Sequence, residues 1–213
     1  MARKKKVRKE KEVKKKKEMR IEGGFFKRNY VLSWKYLKKC RNHILFIILI
    51  FLLSAIIGLY FQPAIIVDWI REFVEELLAR TEGLNWWQMI VFILNNNLRS
   101  SFFGMIFGLA LGVFPVITAF ANGYILGFVS QRTVTTEGLS VLWRLLPHGI
   151  FELPAVIMSL ALGTKLGLFW FSKERKKEFL IRVQESLRVF LFIIIPLLII
   201  AAIIEGLLIV FIG

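Results

Sequence analysis

The chain has 213 residues, of which 56% are hydrophobic, and a mean hydropathy of +0.62. Soluble domains are typically about 45–50% apolar, which excludes an ordinary water-soluble globule. The formal charge of +15 is localised and does not point to nucleic acid: residues 1–42 carry 18 Lys/Arg against 4 Glu, a net of +14, and the rest of the chain carries a net of +1.

The first element is a Lys/Arg/Glu run from Arg3 to Arg20, ended by Gly23-Gly24. It has too few apolar residues to bury a core and reads as a disordered cytoplasmic arm, residues 1–24. Its basic stretch is too long for a secretory signal, and no small-residue cleavage site follows. From Phe25 the pattern changes. Phe26, Tyr30, Trp34 and Leu37 recur at helical spacing among Lys27, Arg28, Lys35, Lys38 and Lys39. This predicts a basic amphipathic helix lying on an anionic lipid surface. The lone cysteine, Cys40, follows it. No intrachain disulfide is possible, and an unmodified cytoplasmic thiol is favoured over a palmitoylated one.

The membrane domain, residues 25–213, is expected to be all-α: a polytopic membrane helix bundle of about five transmembrane segments with amphipathic interfacial helices. Spans are expected at about 44–61, 86–114, 115–131, 147–171 and 189–212, each near the length that crosses a bilayer. Between the first two, Ile66, Trp69, Ile70, Phe73, Val74, Leu77 and Leu78 follow the helical template, with Asp68, Glu72, Glu75 and Glu76 opposite. This acidic amphipathic helix is expected to pack on the bundle or lie in the interface. Asn95-Asn96-Asn97 and Arg99 read as a break in the apolar stretch that starts at the Trp86-Trp87 belt. Two shorter helices should follow around Pro115, as a hairpin that either crosses fully or re-enters. Pro147 fits the first turn of a helix, leaving 139–146 as a short interfacial piece. Lys173 to Arg188 is a charged loop or helix. Basic segments placed inside and the acidic helix placed outside give a multi-pass protein of the cell membrane, N-terminus cytoplasmic and C-terminus external.

Glycine recurs every four residues in three sets: Gly104, Gly108 and Gly112; Gly123 and Gly127; Gly163 and Gly167. Such spacing allows close backbone approach where lipid supplies no hydrophobic drive between helices, and predicts a compact bundle, with a homodimer as one possibility. Ionisable groups inside spans are costly and are usually paired or functional. His148 and Glu152 share a helix face. Glu205, Arg99, Asn95, Asn96 and Asn97 are expected at the same outer level, with Asn122 nearer the inside. One polar cluster could gather them, as a hydrogen-bonded network fixing the helices, as an ion or proton relay, or as a metal site. A catalytic zinc normally needs three protein ligands, and the only other histidine, His43, lies on the opposite side; no metal and no cofactor are expected. Lys165 is expected to snorkel to the inner interface.

At these residues the sequence resembles the stage II sporulation protein M family. The resemblance rests on the break at Asn95–Asn97, the glycine-rich hairpin, Asn122-Gly123 with Gly127, the Pro147-His148-Gly149 signature with Glu152, and Gly163 with Gly167. It spans roughly Tyr30 to Phe211. The family's sporulation members belong to a membrane complex with peptidoglycan-degrading partners and act as anchors or scaffolds rather than hydrolases. The resemblance thus implies a non-enzymatic scaffold or membrane-remodelling component, with a membrane or cell-envelope protein as partner. The alternative is a small ion or solute transporter using the polar cluster. The Lys/Arg/Glu arm and Ile/Lys-rich composition suggest a thermophile, plausibly an archaeal member.

Overall fold

The computed structural model describes residues 24–138 and 142–212, with side chains defined for all of these except 137, 142–148 and 210–212. The basic arm, apart from Gly24, lies outside the described residues. All regular structure among the described residues is helical: α1 (Phe25–Lys39), α2 (Arg41–Tyr60), α3 (Ala64–Thr81), α4 (Trp86–Ile106), α5 (Val113–Glu137), α6 (Leu142–Gly167), α7 (Arg175–Val189) and α8 (Ile195–Ile212). Among the described residues, four segments are long and apolar enough to cross a membrane: Arg41–Tyr60, Val113–Thr136, Gly149–Phe171 and Arg175–Ile209. That is one fewer than the sequence suggested. The segment not among them is α4, which has 21 residues but carries Asn95, Asn96, Asn97 and Arg99.

Those polar residues do not break α4, contrary to expectation. A helix satisfies its backbone internally whatever its side chains, and α4 runs through them unbroken. Its start is fixed by a capping box: Gln88 N–H donates to Asn85 Oδ1 at 2.9 Å and Asn85 N–H to Gln88 Oε1 at 3.0 Å. The chain then turns at Phe107–Gly112, not at Pro115, through two left-handed residues, Leu111 (φ 58°) and Gly112 (φ 73°). Pro115 falls in the first turn of α5, where its missing N–H costs little.

The next two corrections also concern prolines. α6 starts at Leu142, not at Pro147, and carries Pro147 and Pro154 within it. The charged 173–188 segment is helix α7, which passes through a single π turn, Phe190–Ile194, directly into α8. Pro196 accounts for that turn. Its ring would meet the carbonyl four residues back and it offers no N–H; a wider turn around Phe192 accommodates both.

Two pairs of helices run parallel. In the first, Ser54 meets Gly123, Ala55 meets Gly127, Gly58 meets Phe128, and Gln62 donates to Gln131 at 3.2 Å; residue numbers rise together along α2 and α5. In the second, Ser101 meets Ser159, Gly104 meets Leu160, and Gly108 meets Gly163 and Gly167, so α4 and α6 also share a direction. α8 runs antiparallel to α4, with Ile90 against Gly206 and Phe102 against Phe190. The largest buried cluster joins Met105, Leu162, Ile194 and Leu198 from these helices to Tyr36 and Leu37 of α1.

Candidate functional site

The glycines of all three sets lie on contacts within the chain. A Cβ on Gly108 would overlap the Gly163 backbone, one on Gly123 the Phe51 carbonyl and Ser54, and one on Gly127 the Ala55 carbonyl. A Cβ on Gly163 would come 2.8 Å from the Gly104 and Met105 carbonyl oxygens. Gly104 faces Leu160, Gly112 faces Thr164, and Gly167 reaches back to Gly108 and Gly112. These surfaces are therefore engaged inside one chain rather than presented to a second copy.

The described polar residues do not form one cluster; apart from Asn97, the helices divide them among three places. Glu152 and Asn122 line a cleft of about 290 Å³ between α5 and α6, walled by Phe51, Ile125, Leu126, Val129, Leu153 and Val156. Glu152 is engaged in a polar or electrostatic contact of its own, and Asn122 Nδ2 donates to the Thr118 carbonyl at 3.0 Å. His148 belongs to the same helix, but its side chain lies outside the described residues. The second place is a cleft of about 440 Å³ between α3 and α4, containing Asn95, Asn96 and Arg99 with Glu76 and Arg80. Asn97, on another side of α4, is buried in the bundle. The third is Glu205 on α8. Its Oε2 is buried and has no hydrogen-bond partner, next to Gly206, which packs on Ile90.

Sequence reasoning missed a polar seam at the other end of the bundle. In α1 the basic residues Lys27, Arg28, Lys35, Lys38 and Lys39 are exposed, as are Phe26, Tyr30 and Trp34. The buried face consists of Asn29, Ser33, Tyr36 and Leu37, followed by Cys40. It packs on α7 and the end of α6. Lys165 is half-buried and reaches the basic helix α1: its Nζ donates to the Lys39 carbonyl at 3.0 Å and to Cys40 Sγ at 3.4 Å, and sits 4.7 Å from the centre of the Tyr36 ring. Arg182 donates to the Lys165 carbonyl at 2.8 Å, to Ser172 Oγ at 3.2 Å and to Glu178 at 3.1 Å. Arg188 links Asn29 to Glu185.

The hydroxyls of Ser33, Tyr36 and Ser186 are buried there, Ser33 without a hydrogen-bond partner and Tyr36 beside Ser186. Burial pushes the Tyr36 phenol well above its ordinary value, reinforced by Cys40. Burial likewise raises the Cys40 thiol, with Lys165 pulling the other way. A thiol that is fully buried and kept neutral is a poor acceptor for an acyl chain. The signal for this seam was the spacing of small polar residues opposite the aromatic stripe, which the stronger aromatic periodicity masked.

Comparison with protein families matches the family description "Stage II sporulation protein M" over residues 47–208, from within α2 to within α8. The chain is 32% identical over 179 residues to the uncharacterized protein MJ0706 of Methanocaldococcus jannaschii, covering 76% of this chain and 79% of that one. It is 33% identical over 119 residues to the uncharacterized protein MJ0793 of the same organism, covering 53% and 66%. No solved structure matches. A helical bundle with four membrane-length apolar helices, matched by the family over three-quarters of its length, identifies this chain as a membrane protein that belongs to the stage II sporulation protein M family.

Proposed function

We propose that this protein is a non-enzymatic, multi-pass membrane scaffold or membrane-remodelling component. It crosses the bilayer five times, with α4 as the fifth crossing, the N-terminus in the cytoplasm and the C-terminus outside. Support for the fifth crossing comes from register: α4 packs on the α7–α8 helix from Ile90 at Gly206 to Phe102 at Phe190, and on α6 from Ser101 at Ser159 to the turn where Gly108 meets Gly163. A crossing at α4 puts α3 outside and α1 with α7 inside, as the charge bias of these segments requires.

The observation that carries the scaffold reading is the contrast between interior and flanks. Helix backbones meet directly at the glycine seams, whereas α1 and α3 hold aromatic side chains outward, Phe26 at 76% and Trp69 at 62% exposure. A rigid centre with adhesive amphipathic helices on both sides suits holding a membrane or an envelope protein partner. The exposed lysines of α1 suit anionic lipid at the cytoplasmic face.

The test is reconstitution of the full chain into vesicles at rising density. Expected are ion and proton fluxes equal to protein-free vesicles, together with vesicle deformation or clustering that is lost in a Trp69→Ser/Phe73→Ser variant. Flux above background that disappears in Glu152→Gln overturns the scaffold in favour of a transporter. Vesicles unaltered by the wild-type chain overturn the remodelling role.

A further inference from the structure

The cleft between α3 and α4 has a composition that scaffolding does not explain. Asn95, Asn96 and Arg99 follow one another along the face of α4 that the bundle leaves open. Arg99 lies between the level where Ile90 meets Gly206 and the level where Phe102 meets Phe190. It is thus level with the junction of the π turn and α8, Ile194 and Ile195, within the apolar part of the continuous helix that runs on from α7. A guanidinium at that depth needs a counter-charge or water. Among the described residues Arg99 has neither a hydrogen bond nor an ion pair. The nearest carboxylate lining the cleft, Glu76, is committed to Arg80 at 2.6 Å. One positive charge therefore stays uncompensated, and the Asn95 and Asn96 amides, also exposed, add donors beside it. The facing walls are apolar: Phe73 and Leu77 from α3, Phe92 from α4. At about 440 Å³ the cleft is in the range of small-molecule sites.

We infer that this cleft binds the head of a phosphate-bearing lipid. The Arg99 fork takes two phosphate oxygens in the bidentate geometry that guanidinium favours. The amides of Asn95 and Asn96 serve the remaining oxygens, and the first methylenes of the acyl or prenyl chain lie against Phe73, Leu77 and Phe92. α3 can admit such a ligand from the side, because Ile70 is the single side chain of that helix that the bundle buries among the described residues.

The experiment is native mass spectrometry of the full chain in phosphate-free zwitterionic detergent. Phosphatidylglycerol, phosphatidylcholine and inorganic phosphate are titrated separately, and thermal melting is recorded in parallel. Expected is one tight phosphatidylglycerol per chain, about tenfold weaker in Arg99→Gln, a change worth about 1.4 kcal/mol, and intermediate in Arg99→Lys. A Lys35→Gln/Lys38→Gln variant should lose weak lipid adducts but keep the tight one, separating this site from the basic face of α1. Lipid should raise the melting temperature of the wild type and not of Arg99→Gln. If Arg99→Gln melts early without lipid, Arg99→Lys and Asn96→Ala carry the same comparison. Equal retention by the wild type and the Arg99 variants overturns the site. Displacement of the tight lipid by inorganic phosphate alone overturns the lipid assignment in favour of a free anion.

Discussion

The α4–α6 seam and helix α3 are neighbours in sequence and opposite in construction. Along the seam, Gly108 and Gly163 touch backbone to backbone, Ser159 donates to the Ser101 carbonyl, and Gly167 seats against the Leu111–Gly112 turn. α3 buries only Ile70, against Tyr124 and Phe128 of α5, and leaves Ile65, Trp69, Phe73 and Leu78 exposed. The contrast shows that in this chain small residues mark where helix backbones touch, with buried large residues filling the space beside them. Within lipid, close van der Waals approach holds helices together, so glycine contributes most where a soluble protein would use leucine. Large apolar side chains serve two ends: Met105, Leu162, Ile194 and Leu198 fill the buried cluster beside the seam, and those of α3 face lipid or another molecule.

The most severe break is at the seam. Gly108→Ala places a Cβ on the Gly163 backbone, and neither helix can give by rotating a side chain. The expected cost is about 3 kcal/mol, the upper end of overpacking, read as a lowered melting temperature in detergent. A wild-type melting temperature for Gly108→Ala would show that the two helices are looser than their geometry.

On the other side of the comparison, Ile70→Ala removes the one fully buried side chain of α3, leaving the half-buried Ile66, Val67 and Val74 against the same cluster. In a two-sided core a buried Ile→Ala costs about 2–5 kcal/mol, but here the loss should stay local. Hydrogen exchange across Ala64–Thr81 should rise sharply, while global melting shifts by no more than about 0.5 kcal/mol. A large fall in global stability would mean that α3 is part of the core after all.

The smallest expected effect sharpens the comparison at the α1–α7 seam, which is tightly packed yet polar. Tyr36 and Cys40 both hold their protons more tightly when folded than when unfolded. Their contribution is therefore complete below the unfolded pKa values and is lost as pH rises toward the folded ones. Melting temperature should decline between about pH 9 and 11, by about 2–4 °C for each kcal/mol lost, and the decline should shrink in Tyr36→Phe. An identical alkaline decline in that variant would show that neither burial nor Cys40 perturbs the phenol.

Much of this organisation was legible before any coordinates. Charge-free length gave α2, and period-3.6 apolarity gave α1 and α3. The glycines singled out by their spacing lie where a Cβ would meet a neighbouring helix. Three kinds of information were not legible. Asn95–Asn97 looked like a break because side-chain polarity was taken for backbone discontinuity, yet a helix hydrogen-bonds to itself regardless. Pro147 looked like a start because proline is at home in first turns, but α6 begins at Leu142. For the polar residues, counting along helices gives a level but not a direction around the axis. Arg99, Glu152 and Glu205 were placed at one level, but Ile90 rather than Arg99 lies beside Gly206, and packing turns the three toward different neighbours. The Lys165–Cys40–Tyr36 contacts join residues more than a hundred positions apart, which no local pattern reports.

The π turn at Phe190–Ile194 acts as a phase adjustment in a single shaft running from Arg175 to Ile212. One residue of α-helix corresponds to about 100° of rotation and 1.5 Å of advance. The extra residue held in that turn therefore sets the azimuth of everything after it. It is what points Gly206 at Ile90 and keeps Glu205 turned in toward the bundle. Deleting one residue there would leave α7 and α8 intact as helices and yet turn the carboxylate to a different neighbour, much as slipping a gear by one tooth leaves both wheels whole. Length between Val189 and Pro196 is thus constrained as well as composition: Phe190, Ile193 and Ile194 fill the buried cluster, and the number of residues in the turn sets where Glu205 points.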